Sequence, residues 1–305
     1  MRKFCIKVLL FVALCIVVDV AMGVLGKYLV SHAKSGMTEK NEYICNRTKE
    51  DVLIFGSSRA VHHYDPIVIQ DSLGLSCYNC AYDGCGSITA YGLLNIILQH
   101  YTPKIVLYDI APGFDYLKNE TDNTKFLGPL KMYYDYEGID SIFLKAGKTE
   151  KYKMKSQMYR MNSKLILMLT ENTMKRNETI NGYLPKKESL KHKIEKQKDP
   201  ENTNLEYDSM KIDCLNRIIS LCKQKKIKLV FYASPAYMRT NDTKFDYIKK
   251  LSKLHNIPFF NHYCDSIFTK NSEYFYDSMH MNQTGAKEYS KFIIPELKYF
   301  LTQLK

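Results

Sequence analysis

The residue types and spacings in this sequence that could do chemistry lie near its two ends. Val52-Leu53-Ile54-Phe55 is followed by Gly56-Ser57-Ser58-Arg59. A short continuous apolar run that opens into Gly and Ser reads as a strand buried on both faces and ending in a loop. Ser58 then sits beside free backbone N–H groups, where a hydroxyl can be presented for attack and an oxyanion stabilised. A phosphate-binding turn fits the same residues. Close to the other end, Asp277-Ser278-Met279-His280 precedes the last helical pattern. Asp and His three apart in a loop can set the carboxylate on one imidazole nitrogen and leave the other facing a cleft. That supplies a general base together with its orienting group. Asn282 or Thr284 is placed to cap the helix that follows. This helix should present Tyr289 and Phe292 to the core and kink at Pro295.

Bringing the two motifs together requires a scaffold. Strands are expected over residues 52–55, 77–79, 105–110, 227–233 and 257–260, and helices over residues 66–73, 88–99 and 210–225. Strands alternating with helices imply a parallel sheet with right-handed crossovers, here a flavodoxin-like three-layer α/β sandwich. Ligands gather outside the carboxyl ends of such strands, where both motifs lie. Between the third and fourth strands are more than a hundred residues, too many for one crossover connection. A helical insertion at about residues 118–205 is the consequence, with Tyr and Met interleaved among its Lys residues as in a lid or a basic face. Residues 186–198 read as a solvated helix or mobile segment.

The two motifs on this succession of elements resemble the SGNH hydrolases, the GDSL-like esterase and lipase superfamily. Gly56-Ser57-Ser58 matches the block at the end of the first strand, and Asp277 with His280 matches the block before the last helix. The resemblance runs from about residue 51 to 301 and implies a five-stranded sheet in the order 2-1-3-4-5. It also implies acyl transfer through a Ser58 acyl-enzyme, with His280 as base and Asp277 holding its ring. The Ser58 and Ala81 amides would form the oxyanion hole, since Asn79-Cys80-Ala81 stands where the family has Asn-x-Gly. The third strand ends in Asp109 where the family has an Asn donor. Arg59, Gly84 and Asp109 are the candidates for substrate contacts; His62 and His63, which follow Arg59, could meet an anion or a metal. No cofactor and no metal are implied. The expected substrate is an O-acylated carbohydrate or another ester. The acceptor is water in an esterase or deacetylase, and a glycan hydroxyl in a polysaccharide O-acyltransferase. A non-catalytic, membrane-anchored binding or scaffold protein of the same fold is the competing class.

The whole chain has 305 residues, 45% hydrophobic and 25% charged, which excludes collagen, coiled coil and a mainly disordered chain. Its net charge of +12 suits an anionic partner. Residues 118–199 hold 18 Lys and Arg against 11 Asp and Glu, +7 of that charge. No nucleic-acid module is recognisable, and a nucleic-acid partner is not expected. Residues 1–7 carry Arg2, Lys3 and Lys7, and residues 8–26 are apolar except for Asp19. This is a membrane anchor with its amino end in the cytoplasm; a cleaved signal peptide ending near Ala21-Met22-Gly23 is the alternative. Residues 27–50 would then be a tether and residues 51–305 an exported domain, periplasmic or extracellular. Seven cysteines fall in the exported part, an odd number. Cys77, Cys80 and Cys85 lack the second ligand pair a zinc knuckle needs, so the cysteines read as small buried hydrophobes with room for one disulfide.

Overall fold

The computed structural model describes residues 1–161, 164–175, 178–187 and 205–302. Five strands, β1 (Val52–Gly56), β2 (Cys77–Asn79), β3 (Ile105–Asp109), β4 (Lys228–Ala233) and β5 (Phe259–Asn261), form one parallel sheet in the order β2-β1-β3-β4-β5. Alternate side chains bury to opposite faces. Leu53, Phe55, Val106, Tyr108, Leu229 and Phe231 pack on one side, and Val52, Ile54, Ile105, Leu107, Val230 and Tyr232 on the other. Both faces are therefore dry, which explains why these strands read as unbroken apolar runs. β5 begins later than its apolar run because Pro258 has no N–H for the ladder. Instead the Pro258 carbonyl accepts from the Phe231 amide at the strand's edge.

The N-terminal helix α1 (Arg2–Ser31) is long and apolar enough to cross a membrane. Residues 27–50 are not a tether. They complete α1, which buries Gly23, Gly26, Leu29 and Val30, and then form α2 (Gly36–Asn46), which buries Lys40, Ile44 and Cys45. The polar composition misleads because one of the polar residues, Lys40, is itself part of the interior. Its ammonium donates to the Ala81 carbonyl at 2.7 Å and the Gly182 carbonyl at 2.8 Å, and burial lowers its pKa to about 8.

Beyond β1 come α3 (Ser58–His63) and α4 (Pro66–Leu73), and beyond β2 comes α5 (Ser87–Ile97). After β3 and the short α6 (Pro112–Asp115), the insertion supplies a 3₁₀ helix (Asn123–Tyr133), α7 (Ile139–Ala146), α8 (Glu150–Lys153), α9 (Gln157–Arg160) and α10 (Leu165–Thr173). Its ends meet where Leu117 bridges Tyr207 and the Lys118 amide donates to the Glu206 carbonyl at 2.8 Å. The segment at residues 186–198 falls mostly outside the described residues. The chain continues through α11 (Ser209–Gln224), β4, α12 (Asp246–His255), β5, α13 (Ser266–Thr269), α14 (Gln283–Phe292) and α15 (Ile294–Thr302). The break between α14 and α15 falls at Ile293, where Pro295 cannot continue the preceding helix. Cys45, Cys77, Cys80, Cys85, Cys214 and Cys222 are buried free thiols.

One backbone position governs the exit from β1. Gly56 has φ +141°, and a Cβ there would stand 2.6 Å from the Asp109 carbonyl oxygen and 2.8 Å from the Ala60 Cβ. Only glycine lets β1 lie beside β3 and still turn directly into α3. Gly56→Ala is expected to lose at least about 2 kcal/mol of stability through backbone strain, read as a lowered midpoint in urea denaturation. An unchanged midpoint would show that the turn relaxes without cost.

Candidate active site

Ser58 is the first residue of α3, immediately past the Gly56 turn at the carboxyl end of β1. Its N–H belongs to the first helical turn and has no intrahelical acceptor, so it is a backbone donor beside the hydroxyl. The second half of the site is a loop that folds on itself. Phe275 bridges Met281, the Tyr276 amide donates to the His280 carbonyl at 2.8 Å, and the Asp277 carboxylate accepts from the Met279 and His280 amides, each at 2.8 Å. This turn aims the Asp277 carboxylate at its own His280 ring. Nδ1 lies 2.8 Å from Asp277 Oδ2 and 3.0 Å from Oδ1. A carboxylate only accepts, so Nδ1 carries the proton and Nε2 presents its lone pair. That lone pair faces Ser58 Oγ at 2.7 Å. The structure thus brings Ser58, His280 and Asp277 into one hydrogen-bonded chain. His280 is 24% exposed and Asp277 41%, so the chain opens to solvent rather than lying in the core.

Partial burial works against ionisation of Asp277. The His280 ring, the Met279 and His280 amides and the His280 charge overcome it, and hold the carboxyl at about 2. Asp277 is therefore an anion at every pH where the protein would work, able to stabilise an imidazolium as it forms.

The remaining candidates are placed differently. Arg59 is buried; its guanidinium donates to the Ser234 carbonyl at 3.0 Å and to the Ile110 carbonyl, and lies 3.7 Å from Asp109. Asp109 is fully buried and accepts from the Ser234 amide at 2.7 Å and the Tyr64 hydroxyl at 2.8 Å. Both side chains thus tie α3 to the ends of β3 and β4, and Asp109 has no face left for a substrate. The Ala81 amide donates to Asn79 Oδ1 at 3.1 Å, so it is engaged with a side chain and does not point at Ser58 Oγ as a free donor. Asn79 in turn donates to the Ala60 carbonyl at 2.7 Å and clamps β2 to α3. Gly84 sits at φ +63° with open space around it, next to Asp83.

Three features carry no sequence motif. His62 is held between the Leu184 carbonyl at 2.6 Å and the Asp83 carboxylate at 3.1 Å, and its ring stands edge-on to His280 with centroids 5.5 Å apart. Its ring nitrogens are thus spoken for by protein groups. His63 Nε2 accepts from the Met281 amide at 2.9 Å; burial first and the Arg59 charge second push its pKa well below the ordinary value, which keeps it neutral and able to accept. The third feature is the returning segment of the insertion, residues 180–187, which straps the site. The Asn181 carbonyl accepts from the Asn79 amide at 2.8 Å, the Leu184 amide donates to the Val61 carbonyl at 3.3 Å, and the Lys186 carbonyl accepts from the Gln283 amide at 2.7 Å. The His-His pair after Ser58 was the available hint to the first two. Nothing in residues 180–187 marks the strap.

Two cavities adjoin these groups. One of about 160 Å³ is lined by Arg59 and Met279, the chain neighbours of Ser58 and His280, with Ala111, Pro112, Phe114 and Tyr263. A second of about 350 Å³ lies between α1, α2 and the insertion, and reaches Asp83. Among the described residues no three His, Cys, Asp or Glu side chains converge as a metal site would require.

No family model matches the chain, and no curated protein matches it. Among solved structures, one described as a "putative platelet activating factor from Streptococcus pneumonia" aligns with it over 92% of this chain and 98% of that one, at 11% identity and a TM-score of 0.42.

The His63 contact is testable. His63→Leu orphans the buried Met281 N–H and is expected to cost about 1–3 kcal/mol. His63→Gln, which retains an acceptor, should recover part of the loss in thermal denaturation. Equal losses for both would mean that ring volume, not the hydrogen bond, matters. Asp277 also sets a pH window. Its folded-state pKa lies below its ordinary value of 3.8, so its contribution to stability is complete above about pH 4 and is lost as pH falls toward about 2. The acid limb of the melting profile should therefore flatten in Asp277→Asn between those values.

Proposed function

We propose that this protein is a serine-dependent esterase of the SGNH type, acting on O-acyl esters of a cell-envelope carbohydrate. The reading rests chiefly on the continuous hydrogen-bonded chain from Ser58 Oγ through His280 to Asp277. His280 Nε2 takes the Ser58 proton as Oγ bonds to the acyl carbonyl carbon. The imidazolium, balanced by Asp277, then gives that proton to the departing sugar oxygen, leaving the acyl group on Ser58. Water, deprotonated by the same nitrogen, releases the acid and restores the serine. A glycan hydroxyl in place of water makes the reaction an O-acyl transfer; the residues and their roles are unchanged. The Ser58 amide is the backbone donor for the oxyanion.

An anchor helix with a basic amino flank supports an exported domain working next to the membrane. A purely scaffolding role leaves the alignment of Ser58, His280 and Asp277 without a purpose.

A fluorophosphonate probe should label the full chain at Ser58 and fail to label Ser58→Ala. Asp277→Asn, which permits the wrong tautomer, should slow labelling by about a thousandfold or more. A folded protein that resists the probe would overturn the nucleophile assignment.

A further inference from the structure

The apolar stretch of α1 contains one charged residue, Asp19, and its carboxylate is fully occupied by the insertion. It accepts from the Ser156 hydroxyl at 2.7 Å and from the Gln157 and Met158 amides at 2.9 Å each. Asp19 thus satisfies the otherwise unpaired N–H groups at the start of α9 from outside the helix. The depth of this contact follows from helix geometry. Lys7 and Lys27 bracket the stretch, and the residues between them rise about 30 Å, the thickness of a bilayer's hydrocarbon core. Asp19 lies about 12 Å before Lys27 on that axis. The start of α9 therefore lies on the lipid side of Lys27.

The packing keeps it there. A Cβ on Gly23 would stand 2.7 Å from Gln157 Cγ, and one on Gly26 2.3 Å from Met161 Sδ, so the insertion is seated directly on the backbone of α1 through small residues, as helices within membranes are. Further along, the Asn172 side chain donates to the Leu29 carbonyl at 2.8 Å, and the Glu171 carboxylate accepts from the Met37 amide at 2.9 Å. The outer side of the same helices is apolar. Ile166 is 76% exposed, and Met158, Leu169 and Met174 are exposed with it. Lys151 and Lys155, on and just after α8, are exposed, and Lys153 pairs with Glu150 at 2.6 Å; exposed lysines next to an apolar surface suit an anionic interface.

We propose that helices α8 to α10 form a lipid-contacting surface, with the start of α9 and Met158 embedded in the leaflet on the domain side and Ile166 in its interfacial layer. The partner is the phospholipid bilayer itself. The protein would then be held by α1 and by the insertion together, which fixes the domain's tilt. The proposal is independent of whether Ser58 is a nucleophile.

The chain contains no Trp, so one introduced indole reports alone. Full-length Met158→Trp, Ile166→Trp and, as a control, Leu254→Trp are reconstituted in phosphatidylcholine vesicles, with and without bromine on the upper acyl chains. Leu254 is 77% exposed on α12, away from α1. Emission at positions 158 and 166 should fall about twofold or more in brominated vesicles, as for interfacial aromatic residues, while that at 254 is unchanged. Quenching at 158 and 166 no greater than at 254 overturns the proposal. Should either variant fail to fold, Leu169→Trp repeats the measurement on the same surface.

Discussion

The hydrogen bond from the Met281 amide to His63 Nε2 joins the two halves of the site. His63 ends the helix that begins with Ser58, and Met281 follows His280. The contact is buried and spans most of the chain, so the helix presenting the hydroxyl is also the support for the loop presenting the base. A neutral ring is required, since an imidazolium has no lone pair to offer; burial and the neighbouring Arg59 charge provide that neutrality. The distance between Ser58 and His280 is thereby set by one helix rather than by accumulated loop geometry.

The floor of the site is a polar network within an otherwise apolar sheet. Arg59, Asp109, Ser234 and Tyr64 connect α3 to the ends of β3 and β4, while Asn79 connects it to β2. Breaking such a network by removing one partner is costly, because the others are left desolvated. Residues expected to meet a substrate serve instead to hold the helix that carries Ser58 in place. Burial raises the Asp109 pKa even against Arg59, as expected for a carboxyl enclosed on all sides.

The insertion has two attachments with different consequences. At one end it is bound to α1 through Asp19, Gly23 and Gly26. At the other, residues 180–187 lie over α3, where Leu184 holds His62 and Gly182 holds Lys40. Helix α1, the insertion and the site are therefore packed together. In the sequence, +7 of the net charge of +12 falls within residues 118–199.

The sequence by itself determined the elements whose signals are local. Apolar runs buried on both faces marked five strands, and Gly-Ser-Ser and Asp-x-x-His marked the loops at their carboxyl ends, because a strand's burial and a turn's chemistry are written within a few residues. It could not determine which polar residues would be enclosed. Lys40, Arg59 and Asp109 resemble surface residues until their partners arrive from distant segments, and Ala81 resembles a free donor until Asn79 turns back on it. Tertiary structure alone decided those pairings, together with the strap over α3 and the seat of α9 on Asp19, because each depends on contacts between segments far apart in the chain. The charge near the amino end illustrates the division. Composition showed an aspartate in an apolar helix, and only the fold showed what it holds.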